Sequence, residues 1–341
     1  VTRLLAAFFF RQQGERPKGD PTFVFTHKSF GEYLAARRLV HAMQDIVEER
    51  ERRETSSRGK GWSETDALQR WAEWCGPTAL SPYIHQFLMD EVALVNKEDV
   101  AKWQAHFTRL FSHLLHHGMP MERLQLTSFQ DALFQSRNAE ESLLAALNAC
   151  ALVTRQVSQI KCPYPTAFGA WFKRIQGQRS GPDSALAAYC LSWLNLNGSQ
   201  LDFSDFYAAN ISRSVLRNVM GYRISLNMAQ LVSVDLRDAH LPQAYLENAK
   251  LEGADLRASV LNDAYLGDAD LSDANLSDAD LSDANLSDAN LSGANLSGAN
   301  ITKSTNFEGA NLEGTIFDEG QHPRGRKKPR AARKAKGDST A

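Results

Sequence analysis

From Leu201 onward an apolar side chain returns at every fifth position. Leu201, Phe206 and Ile211 open the series, and Leu246, Leu251 and Leu256 continue it. Leu271, Leu276, Leu281 and Leu286 form its most regular stretch; after a one-residue insertion beyond Ile301 the period resumes with Phe307 and Leu312. Two positions before each stands a small residue, most often Ala, from Ala209 to Ala299. A period of five fits neither the 3.6 of a helix nor the 2 of a strand. It calls for a chain that turns a corner every five residues, with one large and one small apolar side chain inward and three polar positions outward. Such units bury nothing alone and become stable only by stacking. The weak point is Val219-Met220-Gly221-Tyr222, where Gly221 takes the central apolar position. It is either a degenerate unit or a bulge.

Between Ala269 and Asn290 the sequence is nearly pure Ala-Asp/Asn-Leu-Ser-Asp. These residues resemble pentapeptide repeats of the A(D/N)Lxx type. The resemblance implies a right-handed quadrilateral β-helix over residues 196–319, four pentads per coil, with the residues named above as its repeat core. About six coils at a spacing of ~4.8 Å give a column roughly 29 Å tall. Residues 20 apart then stack. Asp255 is expected over Asn275, Asp270 over Asn290 and Asp280 over Asn300, which avoids like charges. Asp263 is expected over Asp283 and Asp268 over Asp288, at a cost of a few tenths of a kcal/mol each.

The formal net charge of −2 averages unlike segments. Residues 1–198 are net +3, residues 199–320 are net −12 and residues 321–341 are net +7. The column has no nucleophile beside a base, no acid–base pair in a cleft and no glycine-rich phosphate loop, so the sequence predicts no catalysis there and no cofactor. Its acidity admits two uses, a solvated face that serves as a generic partner surface and mimicry of DNA. The second is known for some pentapeptide-repeat proteins that bind topoisomerases. Duplex DNA carries one charge per ~1.7 Å, or roughly 17 over the column. Here the acids crowd between Asp263 and Asp288.

Residues 1–195 differ, holding all six Trp and most long aliphatic residues. Ser29-Phe30-Gly31-Glu32 reads as a capping box opening a helix to about Glu54. Further amphipathic segments fall at 64–75, 83–95, 97–117, 139–160 and 183–193, with Asn96 and Asn138 as caps and Gly118 as a stop. Thr22-Phe23-Val24-Phe25 alternates like a strand. The expected order is a winged-helix remnant with the start of the helical region at 1–50, an α-helical domain at 51–195, the solenoid at 196–319, and a disordered basic tail at 320–341.

The run Phe23-Val-Phe-Thr-His27-Lys-Ser29-Phe30-Gly-Glu32-Tyr33-Leu34-Ala35-Ala36 resembles the signature just after the ATPase core of NACHT-type STAND NTPases. There it closes a winged helix and opens a helical domain, and its His reaches the β-phosphate of bound ADP. The resemblance therefore implies His27 as a nucleotide-sensing residue in an intact parent protein; packing or capping beside Ser29 is the alternative. No GxxxxGK[ST] loop or strand ending in paired Mg²⁺-binding acids occurs. The expectation is that this chain is the C-terminal part of a larger signalling ATPase, with the ATPase core upstream, and does not itself hydrolyse ATP.

Three further features need weighing. His113 and His117 stand four apart on a helix, a spacing that can hold zinc, but no third ligand or intervening Glu is evident, and no metal site is assigned. Trp71, Trp74 and Trp103 fall at helical spacing and are expected in the core. The run Arg324–Lys336 is basic and nearly free of apolar residues. It is expected to balance charge, fold back on the acidic column or touch nucleic acid weakly. Four dispersed cysteines without a CxxC pair fit a reducing compartment, and the Leu4–Phe10 apolar run is too short to span a bilayer. The sequence thus predicts a cytoplasmic, non-catalytic protein-interaction or sensor module of prokaryotic signalling or defence, with an unidentified protein partner. The alternative is a free-standing acidic DNA mimic.

Overall fold

Helices in the first half begin where a side chain can satisfy the free amides of a first turn. Ser63 caps α2 (Glu64–Cys75) in a reciprocal capping box with Asp66, and Ser81 caps α3 (Pro82–Ala93), which opens on a proline. Asn96 caps α4 (Lys97–His117), which stops at Gly118 with φ 78°, and Ser128 caps α5 (Phe129–Thr154). This computed structural model describes residues 10–15, 21–25, 28–177 and 186–319. His27, the nucleotide-sensing candidate, and the basic run within 320–341 lie outside the described residues.

Before these helices, β1 (Phe10–Glu15) pairs antiparallel with β2 (Pro21–Phe25), Phe10 opposite Phe25. The first helix, α1 (Lys28–Thr55), already contains Ser29, so Ser29 is not its cap. Glu32 instead accepts from the Ser81 hydroxyl at 3.1 Å, tying α1 to the start of α3.

The long central helix differs most from expectation. α5 starts ten residues before the predicted 139, and Asn138 is not a cap but a buried mid-helix residue whose side-chain amide donates to the Gly76 carbonyl at 2.8 Å. Residues 137–151 are buried on every side, because α2, α3 and α4 all pack on α5. Burial all round removes the amphipathic stripe that marks a surface helix. The charged members of this stretch are paired: Glu140 accepts from the Trp171 indole at 2.7 Å and from the Ser136 hydroxyl at 2.6 Å, and Arg137 meets Glu141 at 3.2 Å. α5 ends at Thr154, six residues before the predicted 160, because Ser158 pairs with Leu194 in the first coil. Trp71 is buried with its indole donating to the Ala139 carbonyl at 2.9 Å, and Trp103 is buried too, but Trp74 is only half-buried, against Trp62.

Two short helices join the halves. α6 (Ala167–Gly177) was not predicted, and of the expected 183–193 segment only α7 (Leu186–Tyr189) is helical among the described residues. α6 lies across the first coil. Phe172 stacks on Phe206 with ring centres 4.6 Å apart, and the Lys173 ammonium donates to the Asp202 carbonyl at 2.6 Å. Gly169 makes this approach possible, since a Cβ there would sit 2.8 Å from the Gln200 carbonyl oxygen. The helical part therefore closes the proximal end of the column, which would otherwise expose a row of unpaired backbone groups.

The column begins at Leu191, two pentads before Leu201, where Tyr189 and Leu194 replace the small residues that mark the repeat. Its coils meet through single-residue parallel bridges 20 residues apart, such as Asn195 with Val215 and Asp255 with Asn275. Twenty residues per coil means four pentads, hence four sides. From the Leu196 pentad to the Leu296 pentad the amide three residues after the central residue donates back to its carbonyl, as Ala209 does to Phe206 at 3.0 Å. The residue two beyond the centre has positive φ, from Phe203 at 55° to Gly298 at 71°. A turn with positive φ at its third residue is the type II pattern. After the insertion the spacing becomes 21, Asn285 pairing with Asn306. The extra residue lies between Ile301 and Thr305; Thr305 takes the small inward position before Phe307, its hydroxyl bonding the Leu281 carbonyl at 2.9 Å as Thr315 bonds the Leu291 carbonyl at 2.7 Å.

The coil at Gly221 is undistorted. Met220 bridges both Gln200 and His240, and the Gly221 amide donates to the His240 carbonyl at 2.8 Å. The missing side chain is replaced by neighbours: a Cβ on Gly221 would lie 2.7 Å from Leu241 Cδ2 and 3.3 Å from Ile224 Cγ2. Ile224 stands where most pentads have Ala. The glycine is matched to larger partners, so the core keeps its density without a bulge.

Candidate interaction surface

Three outward positions per pentad build the surface, and each has a backbone reason for its residue type. From Asp270 to Asn311 the residue before the central one is Asp or Asn, and, Asn300 apart, its side-chain oxygen accepts the amide two residues on, as Asp270 does from Ser272 and Asn275 from Ser277 at 3.0 and 3.1 Å. Between coils the same side chains form ladders. The Asn290 amide donates to Asp270 Oδ1 at 2.9 Å, and the Asn300 amide donates to Asp280 Oδ1 at 2.8 Å. An Asp below an Asn therefore supplies acceptor to donor as well as avoiding like charges. For Asp280, partial burial opposes ionisation, but hydrogen bonds from Ser282 and Asn300 outweigh it and hold the carboxyl below its usual range.

The corner position is the one with positive φ, and there Asp occupies six consecutive pentads from Asp263 to Asp288. Asp and Asn tolerate this conformation better than most side chains. The corner acids thus answer a backbone demand, and the repulsion expected between Asp263 and Asp283 is the cost of meeting it. Above Asp273, Asp278 and Asp288 the next coil carries Gly293, Gly298 and Gly309, and a Cβ on any of these would collide with the carboxylate beneath.

We number the sides 1 to 4 in chain order, beginning with the Leu201 pentad. Side 4 is an ion-pair ladder: Arg217 meets Asp235 at 2.6 Å, Arg237 meets Asp235 at 2.9 Å and Asp255 at 3.4 Å, and Arg257 meets Asp255 at 2.7 Å. Burial opposes charge on Asp255, yet Arg257 prevails and lowers its pKa. Within 199–300 the outward aromatic residues all fall on sides 1 and 2 or their shared corner. Phe203 contacts Tyr222 edge-on at 5.3 Å, the Tyr207 hydroxyl reaches Met228 Sδ at 3.0 Å, and Tyr245 stacks flat on Tyr265 at 5.1 Å. Phe203 is 62% exposed and Tyr207 55%. Charge is segregated along the axis. Residues 199–260 carry six basic and seven acidic side chains, while residues 261–320 carry one basic and twelve acidic.

The expected repeat-core residues Leu201, Phe206, Ile211, Leu246, Leu251, Leu256, Leu271, Leu276, Leu281 and Leu286 are all essentially buried. Phe307 and Leu312, in the last coil, are only partly buried. His113, His116 and His117 of α4 do come together. His113 and His117 rings lie 4.4 Å apart, lining an open cleft with Arg109 and Lys161, but His113 Nε2 is engaged by Thr65 at 3.1 Å. Among the described residues no group of three His, Cys, Asp or Glu is placed to hold a metal. No described helix is long and apolar enough to cross a membrane.

Coils of four pentads, Asx-bonded polar positions and an Ala/Leu interior make this column a pentapeptide-repeat β-helix. The family profile described as Pentapeptide repeats matches in eight copies, at residues 229–268, 239–278, 249–288 and 279–318. Similar solved structures include QnrB1, a plasmid-mediated fluoroquinolone resistance protein, at 19% identity over 37% of this chain and 78% of that one, with a TM-score of 0.20. HetL, a pentapeptide repeat protein involved in heterocyst differentiation regulation from Nostoc sp. Strain PCC 7120, is 23% identical over 37% of this chain and 90% of its own, with a TM-score of 0.14. A pentapeptide repeat protein of the Arabidopsis thaliana thylakoid lumen is 32% identical over 38% of this chain and 65% of its own, with a TM-score of 0.16. No curated relative matches the chain.

Proposed function

We propose that this protein is a non-catalytic protein-interaction and sensor module acting in the cytoplasm, the solenoid supplying the recognition surface and the helical part anchoring it. The observation that carries this reading is the exposed aromatic strip on sides 1 and 2, from Phe203 to Tyr265, on a column whose proximal end is sealed by α6. Aromatic side chains present large contact area at low entropic cost, and they are enriched where partners bind. The Phe23–Ala36 motif suggests that this module works within a NACHT-like signalling NTPase, where His27 would contact a nucleotide phosphate. The partner is then a protein, and nucleic-acid contact is confined to weak, salt-sensitive binding by the basic run. In that setting, full-length parent protein carrying His27→Ala should lose ADP retention, while Phe203→Ala with Tyr207→Ala should leave ADP retention intact and abolish trigger response. ADP retention unchanged by His27→Ala would remove the nucleotide role. A trigger response that survives the aromatic double substitution would remove the recognition role.

DNA mimicry is the second reading, motivated by the twelve acids of residues 261–320. Those acids occupy only the distal half and stand on all four corners, whereas a mimic needs charge along the length of the column. Inhibition of a purified gyrase by the full chain at stoichiometric concentration would favour mimicry over the sensor reading.

A further inference from the structure

Side 2 differs from the other three in the coils that include Tyr265 and Asn285. Across the first of these the outward positions read Asp263, Tyr265, Gly267, Asp268, and across the next Asp283, Asn285, Ser287, Asp288. A stacked pair of acids therefore stands on each border, with almost no side chain between them near one rim. A Cβ on Gly267 would meet nothing closer than 3.6 Å. The proximal end of this trough is closed by the Tyr245–Tyr265 stack. Side 4 has single corner acids, Asp273 and Asp278, because Gly293 and Gly298 follow them, and it carries the arginine ladder. Side 2 itself has no outward Lys or Arg.

We propose that this trough is the docking site of the basic run Arg324–Lys336 of the same chain. Charge complementarity identifies the occupant: the run holds eight Lys and Arg and no acid, against four corner Asp and an aromatic floor suited to cation–π contact. Position supports it as well. The chain crosses one side of the column every five residues, and Glu319 stands at the corner entering side 1. Residues 320–323 thus suffice to cross side 1 and arrive above the Asp263/Asp283 border, at whose distal end Thr302 donates to Asp283 at 3.1 Å and Lys303 is exposed. Thirteen residues extended reach about 45 Å, more than the trough requires. Contact of this kind is electrostatic and weakens with salt.

The inference goes beyond the partner proposal and is tested without any partner. The probe is trypsin acting on the full chain at 50 mM salt, with cleavage within 324–336 followed by mass spectrometry. The comparison is with Asp263→Asn/Asp268→Asn/Asp283→Asn/Asp288→Asn; Asn accepts positive φ as well as Asp, and a thermal melt checks that the variant folds. Cleavage should be at least fivefold faster in the variant, and Tyr245→Ala/Tyr265→Ala should accelerate it by a smaller factor. Zero-length carbodiimide cross-linking of the wild type should join Lys327 or Lys328 to the four corner Asp within one molecule. Equal cleavage rates, cross-links spread evenly to Asp273 and Asp278, or links formed only between molecules would each overturn the proposal.

Discussion

Asn290 lies one coil above Asp270 and donates its side-chain amide to the Asp270 carboxylate at 2.9 Å, while its own oxygen accepts from the Asn311 amide at 3.1 Å. This continuous ladder needs a donor at each rung above Asp270. Asn290→Asp removes the donor and stacks two half-buried carboxylates, so we expect a loss of about 1 kcal/mol near neutral pH. The like-charged pair raises a folded-state pKa, so protonation favours the folded variant. The deficit relative to wild type should therefore shrink below about pH 4 in urea melts. A deficit that is constant with pH would show that the rung carries no charge coupling.

Gly221→Ala tests whether the degenerate pentad is matched to its neighbours. The added methyl would lie 2.7 Å from Leu241 Cδ2 and 3.3 Å from Ile224 Cγ2, both buried. Overpacking of this kind costs about 1–3 kcal/mol, although alanine is ordinarily tolerated wherever φ is negative. Thermal melts should show the loss, and Leu241→Val in the same chain should recover part of it.

The junction of helix and column is tested by Phe172→Ala, which removes the ring stacked on Phe206 at 4.6 Å. Truncating a buried Phe costs about 3–5 kcal/mol. Hydrogen exchange should accelerate first in the coil from Leu191 to Asn210 and spare the coils beyond Leu246, since solenoid stability is transmitted between nearest neighbours. Uniform acceleration along the column would mean that α6 does not act as its cap.

Asp66 is held below the usual carboxylate range, chiefly by the hydrogen bond from the Ser63 hydroxyl and then by the Ser63 amide and Arg123. Because the folded pKa is the lower one, the stability it lends is complete above the unfolded value of about 3.9 and is lost as pH falls through the folded value. Asp66→Asn should cost about 0.5–1 kcal/mol at neutral pH. The difference from wild type should vanish by about pH 2 in acid unfolding.

The thiols should divide cleanly. Burial pushes Cys75 up to about 12 and raises Cys150 and Cys190 further, whereas Cys162 is only half-buried and raised less. Cys162 is expected to react first with a thiol reagent, the other three only after unfolding, as counted by mass spectrometry.

Much of this molecule was legible in its residues, and the limits were physical. α4 was read to the residue because Asn96 and Gly118 act through contacts within one turn. α5 was misread because its buried girth erases the periodicity that signals a helix, and Asn138 looked like a cap only until Gly76 was brought beside it. The Leu191 pentad was missed because Tyr189 breaks the Ala signature two positions before it. The corner Asp residues were legible as charges but not as answers to a positive φ, which no side-chain pattern announces.

The five-residue period by itself determined a stacked solenoid with a Leu/Ala interior and an acidic distal half, because each pentad repeats one local turn and its inward pair. Only the tertiary structure decided which pentads share a side, and hence that Tyr245 stacks on Tyr265 between two borders of paired acids. That outcome depends on a coil of twenty residues. It also needs a starting register set where α6 seats Phe172 on Phe206, a contact between segments that no local spacing encodes.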